Sequence, residues 1–479
     1  MALGRTLGIL VPALIVVGAA GAYALTWRSS FDPVPRPDPA SFDADLVARG
    51  TQLAAVGNCI ACHTVPGGDA FAGGLAVPTP FGTVYSTNIT PDEKTGIGTW
   101  SLAAFRRSLH DGLDRDGHHL YPAFPYDQFT LLSDNDVEAL YAYLMTRRAV
   151  ENQPPPNELP FPLNIRATVA GWKLLFFDSG RFAPDPGKSD QWNRGAYLAE
   201  GLGHCGGCHT PRNALGAREK DEAWNGGMAE GWTAYPINEN SPAPIPWSAD
   251  ALAFYLRNGW HQDHGVSRGP MAEVTGNLGR LSDEGVEAIA VYTASRMGAP
   301  EVPDAGPALA ASVIEAPGEG QTSDTQTQPE DTDEAQGQAS GTQAQSEDAG
   351  FARGAEIYAA ACASCHEGDR PQPYGGLDFH LSTAVNASNP QNIVIVTFWG
   401  LPPADGMASA VMPGFEGVLS DLDTINLLTY LRREFTDKPD WEGVGELVTA
   451  TRTGEHPVSV RPADMIERAP RNLGAKEEP

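Results

Sequence analysis

A chain of 479 residues has room for three or four domains, and with 41% hydrophobic residues it can build real cores. Its formal net charge of −28 argues against nucleic-acid binding, which needs a basic face. Charge of that size suits solubility and the choice of docking partner instead.

The first feature along the chain is a run from Thr6 to Trp27, 22 residues without a charge between Arg5 and Arg28. That is about the ~20 residues that cross a bilayer, and Trp27 suits the interface. Ala22-Tyr23-Ala24 also resembles a signal-peptide cleavage site. The run is longer than the roughly 7–15 apolar residues usual in such a peptide, which favours a retained anchor over residues 1–30. Either reading puts the body of the chain outside the cytoplasm, on the periplasmic side of a bacterial cytoplasmic membrane.

All six cysteines fall in three copies of one pattern: Cys59-Ile-Ala-Cys62-His63, Cys205-Gly-Gly-Cys208-His209 and Cys362-Ala-Ser-Cys365-His366. C-x-x-C-H is the attachment signature of c-type haem. Two thiols at this spacing can each add to one vinyl group of the porphyrin, and the following histidine supplies the proximal iron ligand. A zinc site would need four ligands, and no cysteine is spare to complete one. The expected cofactor is therefore covalently bound haem c, three per chain, with His63, His209 and His366 on iron.

The motifs set the domain boundaries. Each ends a short amphipathic segment, Asp43 to Val56, Gln191 to Leu202 and Phe351 to Ala361, and each segment contains Arg-Gly: Arg49-Gly50, Arg194-Gly195 and Arg353-Gly354. Each repeat closes on a second helical stretch opened by serine and acidic residues, at Ser133, Ser282 and Ser420. Ser133 with Asp136 and Ser420 with Asp423 suit capping boxes. Such an arrangement resembles small class I cytochromes c. The predicted fold is mainly α: three tandem domains of that class, at 43–150, 191–298 and 350–437, behind an N-terminal transmembrane helix. Residues 151–190 are proline-rich but contain Trp172-Lys-Leu-Leu-Phe-Phe177, too apolar for a free tether, so this connector should pack on its neighbours. Residues 299–349 are acidic and polar and read as a disordered linker, while 438–479 read only as a polar tail.

A haem c iron is commonly completed by methionine. Met271 lies 62 residues after His209, and Met412 lies 46 after His366, with Met407 its competitor. In the first repeat the equivalent place, 61 residues after His63, holds Phe124, and Met145 on the closing stretch reads as core. His110, His118 and His119 are substitutes there. The first haem is expected to be open, or bis-histidine through His118 or His119, with a lower potential than the other two.

From Asp43 to Arg296 the chain resembles the multihaem cytochrome c subunits of membrane-associated bacterial dehydrogenases. Thr79-Pro-Phe-Gly-Thr-Val-Tyr-Ser-Thr-Asn-Ile-Thr-Pro-Asp92, Gly96-Ile-Gly-Thr-Trp-Ser101, His209-Thr-Pro-Arg-Asn213 and Met412-Pro-Gly-Phe415 carry the resemblance. Tyr121-Pro-Ala-Phe124-Pro-Tyr126, Asn152-Gln-Pro-Pro-Pro-Asn157 and Gly171-Trp-Lys-Leu-Leu-Phe176 are most similar to the subunits that accompany molybdenum hydroxylases of the xanthine dehydrogenase family. The resemblance implies an electron-transfer subunit rather than an enzyme. Its partner would be a dehydrogenase holding molybdopterin and iron–sulfur centres, and its acceptor a quinone, another cytochrome or an oxidase. A self-sufficient haem enzyme, of peroxidase or quinol oxidase type, working at an open first haem is the rival.

Overall fold

The computed structural model describes residues 26–299, 347–368, 374–403 and 409–455. The apolar run from Thr6, apart from Thr26 and Trp27, lies outside the described residues, as do most of the acidic linker, Met407 and the tail from 456 onward. Among the described residues no helix is long and apolar enough to cross a membrane. The described chain is mainly helical, with three two-stranded antiparallel hairpins pairing 76–79 with 82–85, 227–229 with 232–234, and 260–261 with 265–266.

Each repeat is built on one helix crossing. Ala44–Val56 packs on Asp134–Met145, Asp190–Ala196 on Asp283–Arg296, and Glu347–Ala361 on Asp421–Phe435. The Arg-Gly pair explains the crossing. A Cβ on Gly50 would overlap the Ala139 carbonyl and lie 2.7 Å from the Tyr143 Cβ. One on Gly195 would overlap the Ala288 carbonyl and lie 2.8 Å from the Tyr292 Cβ, and one on Gly354 would meet Asn426 and Tyr430 in the same way. Only glycine lets the two backbones approach so closely. The arginine before it fixes the register: Arg49 pairs with buried Asp136 at 2.7 Å and Arg353 with Asp423 at 3.0 Å. In the second repeat Gly285 stands where those aspartates stand, and Arg194 lies over the Tyr197 ring instead. Ser133 and Ser420 cap the closing helices by accepting from the Asp136 and Asp423 amides, whereas Ser282 makes no side-chain cap bond.

The first two repeats share one hydrophobic core, running from Leu53 through Leu132, Leu144, Leu198 and Leu202 to Ile289 and Ala294. Their interface is nearly two-fold symmetric. Gln52 accepts from the Ser282 amide at the start of the second closing helix, and the Tyr197 hydroxyl accepts from the Ser133 amide at the start of the first. Gln52 lies seven residues before Cys59 but Tyr197 lies eight before Cys205. The extra residue is taken up in a π-helical turn, Tyr197–Leu202. Tyr197 also donates to Asp136 at 2.6 Å, tying the two units through a buried carboxylate.

The connector lies across both units. Its helix Val169–Phe176 places Trp172 Nε1 on the Leu215 carbonyl and Lys173 Nζ on the Asp111 and Gly112 carbonyls. The third repeat has its own core around Ile357, Val394, Phe398, Leu428 and Val448. Val448 belongs to a helix, Val444–Thr453, inside the stretch that reads from sequence as polar tail. Asp421 and the Leu419 carbonyl both accept from Arg452 and hold it there. The third repeat is clamped to the second: Asn392 accepts from the Thr233 amide at 2.9 Å and donates to the Thr233 carbonyl at 2.9 Å.

Candidate functional site

The three C-x-x-C-H motifs fold alike. Each forms a single helical turn, Cys59–Cys62, Gly206–His209 and Ala363–His366, directly after the opening helix. In each the histidine Nδ1 faces a main-chain carbonyl on the wall opposite: His63 to Thr87 at 2.6 Å, His209 to Tyr235 at 2.7 Å and His366 to Leu377 at 2.8 Å. A carbonyl can only accept, so Nδ1 must carry the proton and Nε2 is left with its lone pair free. Burial pulls all three imidazoles below the usual histidine range, which keeps them neutral and able to bind a metal.

Among the described residues no two cysteines are joined in a disulfide. Burial pushes Cys59 and Cys362 up to about 11 and Cys205 up to about 12, so ahead of haem attachment they are protonated thiols at neutral pH, unlike the activated cysteines of redox pairs. Among the described residues no cluster of three or more His, Cys, Asp or Glu could hold a bare metal ion.

The second and third motifs open into one cavity of about 440 Å³. It brings Cys205, Cys208, His209 and Met271 together with Cys362, Cys365, His366 and Met412. Met271 sits in the first turn of the helix Pro270–Leu278, set by Gly269 at φ +60°. Met412 is held by paired hydrogen bonds with Leu401, at 2.8 and 3.0 Å. Haem c fits this donor set: paired thiols, a neutral imidazole with free Nε2, and a thioether lining the same cavity.

The first repeat has no methionine between His63 and Ser133. Met145 is wholly buried in the core. Phe124 packs edge-to-face on Phe129 at 5.3 Å, and Phe129 on His204 at 5.6 Å. His204 carries no motif of its own in the sequence; it precedes Cys205 and belongs to the second repeat. Of the expected substitutes, His118 is exposed and bound to Asp114 at 3.2 Å, while His110 is buried against Arg181. His119 is buried in the neighbourhood of Lys173 and Thr26.

His110 and His119 have a consequence for stability. Burial, reinforced by Arg181 at His110 and Lys173 at His119, pulls both down to about 4 from an ordinary 6.5. Between those values the unfolded chain takes up protons that the folded chain refuses. Their contribution is therefore complete above pH 6.5 and is lost as pH falls towards 4, on the order of 3 kcal/mol for each histidine. Guanidinium melts at pH 7 and pH 4.5 should show this loss, and His110→Gln should shrink it.

Comparison with known proteins follows the same lines. The cytochrome c family profile matches residues 47–148. One of the subunits of nicotinate dehydrogenase from Pseudomonas putida is 42% identical over 441 residues, 91% of this chain but only 34% of that protein. The cytochrome c subunit of gluconate 2-dehydrogenase from Pantoea cypripedii is 34% identical over 448 residues, covering 90% of this chain and 93% of its own. The chain belongs to the cytochrome c subunits of membrane-associated dehydrogenases. The fructose dehydrogenase cytochrome subunit of Gluconobacter japonicus, 35% identical over 393 residues, covers 79% of this chain and 76% of its own. A cytochrome subunit of this kind carries electrons for a dehydrogenase and is not itself the catalytic enzyme. Its cofactor is covalent haem c, which supplies the one-electron chemistry while the protein holds, orients and encloses it.

Proposed function

We propose that this cytochrome subunit carries three haems c in three class I cytochrome domains, each with a proximal histidine (His63, His209, His366). Met271 and Met412 complete the second and third, and the first is open or completed by His118 or His119. The observation that carries this reading is the recurrence, at all three motifs, of a histidine whose Nδ1 donates to a carbonyl. Electrons would enter from a partner dehydrogenase and leave for a quinone, a cytochrome or a terminal oxidase. Phe124 in Tyr121-Pro-Ala-Phe124-Pro-Tyr126 and the 42% identity to a nicotinate dehydrogenase subunit favour a molybdenum hydroxylase, with molybdopterin and iron–sulfur centres, as that partner. The apolar run from Thr6 favours an anchor placing the body on the periplasmic side of the membrane.

The test is purification of the full chain from detergent-solubilised membranes, with haem, metal and subunit analysis. Three haems per chain, a co-purifying molybdenum-containing partner and one midpoint potential below the other two are expected, since loss of a methionine ligand lowers the potential. Two haems, three equal high potentials, or a partner without molybdenum would each overturn the corresponding part.

A further inference from the structure

The wall of the cavity shared by the second and third motifs carries buried donors with nothing to donate to. Arg268 Nε, Trp232 Nε1 and His264 Nδ1 all line it and all lack a hydrogen-bond partner. Native structures seldom leave such groups unsatisfied, because each has given up its water without gaining a partner. Arg268 and Trp232 converge. The Trp232 indole lies across Gly269, next to Arg268, so closely that a Cβ on Gly269 would come within 2.7 Å of Nε1. His264 stacks on Trp247 at 3.6 Å, and the adjacent Gly265 faces Leu377 of the third repeat.

Arg268 is the decisive member. Its guanidinium donates to the Ser267 carbonyl at 3.1 Å and to the Ala410 carbonyl at 3.0 Å, and among the described residues no carboxylate pairs with it. A guanidinium placed in a cavity wall without a counter-charge is strongly unfavourable. Burial accordingly pulls it below the ordinary arginine value, to about 10. Arg268 stands three residues before Met271, and its partner Ala410 stands two before Met412, so the charge sits at the junction of the two methionine loops. The group that would occupy the cavity, haem c, has only its two propionates ionised.

We propose that Arg268 and Trp232 form a carboxylate-binding pole that receives the propionates of the second haem, and that the Arg268 charge raises the second haem's reduction potential at its junction with the third. A fixed positive charge disfavours the ferric state, which carries one more positive charge than the ferrous. Because Arg268 also bonds to Ala410, the same residue links this pole to the third repeat.

The inference rests on the three-haem reading, and the experiment separates the two. Haem per chain is counted first, then potentials are titrated spectroscopically on the full chain, the second haem being assigned as the component missing from a Cys205→Ala/Cys208→Ala chain. With three haems bound, Arg268→Gln should shift that component downward, leave the first haem in place, and be largely rescued in Arg268→Lys. Three haems with unshifted potentials overturn this inference alone, whereas fewer than three in the unaltered chain overturn the reading beneath it. If Arg268→Gln loses haem, Trp232→Phe, which keeps the charge, replaces it. A smaller downward shift then supports the carboxylate pole, and an unshifted second haem overturns it.

Discussion

Gly195→Ala is expected to destabilise the protein by about 3 kcal/mol or more, although the same change inside an exposed helix ordinarily stabilises by up to about 1 kcal/mol. The reason is where the new methyl group would go. It would overlap the Ala288 carbonyl and lie 2.8 Å from the Tyr292 Cβ, contacts that no rotamer change relieves because both belong to the crossing helix. The helices would have to separate, opening a core that the first and second repeats share, so the loss should be felt in both. A fall in melting temperature of roughly 6–12 °C would follow for units of this size. Gly171 supplies the control: it is inside the helix Val169–Phe176, and a Cβ there meets nothing within 4 Å. Gly171→Ala should leave the melting temperature unchanged or raise it. Equal destabilisation by the two changes would show that the crossing does not depend on glycine.

This contrast marks what local sequence could and could not say. The Arg-Gly pairs, the serine caps and the three haem motifs are short-range patterns, and their meaning survives without knowledge of what lies opposite. The facing residues are another matter. Nothing near His63, His209 or His366 in sequence announces that Thr87, Tyr235 and Leu377 will present the carbonyls that orient them. The helix Val444–Thr453 is illegible for a different reason. Its sequence, VGELVTATRT, is rich in β-branched residues and poor in the usual helix formers, so propensity argues weakly for it. It is held instead by tertiary contacts, with Val448 fully buried and Arg452 fixed by Asp421. His204 and Arg268 escape notice in the sequence because a lone histidine or arginine carries no periodic signal. Only the cavity around Arg268, and the missing partner of its Nε, give it significance.

Cys205→Ala/Cys208→Ala is expected to have the largest functional effect of any change at the three motifs, because the second motif lies between the other two. On one side it meets the first repeat: a Cβ on Gly206 or Gly207 would stand 3.4 Å from the Gln128 side chain. Electrostatics agree, since Cys208 is among the groups that push the Cys62 thiol up, after burial and the neighbouring Glu273, Glu230 and Cys59. On the other side it shares one cavity with the third motif, lined by both Met271 and Met412. The first and third motifs have no comparable junction with each other among the described residues. On the proposed three-haem reading, removing the two thiols takes out the middle carrier and leaves two haems that are individually competent but poorly connected. Rapid-mixing spectroscopy with a reductant that enters at one terminal haem should show that haem reducing at its normal rate and the other lagging by orders of magnitude. Undiminished reduction of both would mean that each terminal haem has its own contact with the donor. The second haem would then be a branch rather than a bridge, and the shared cavity would serve to fix the third repeat against the second rather than to pass electrons between them.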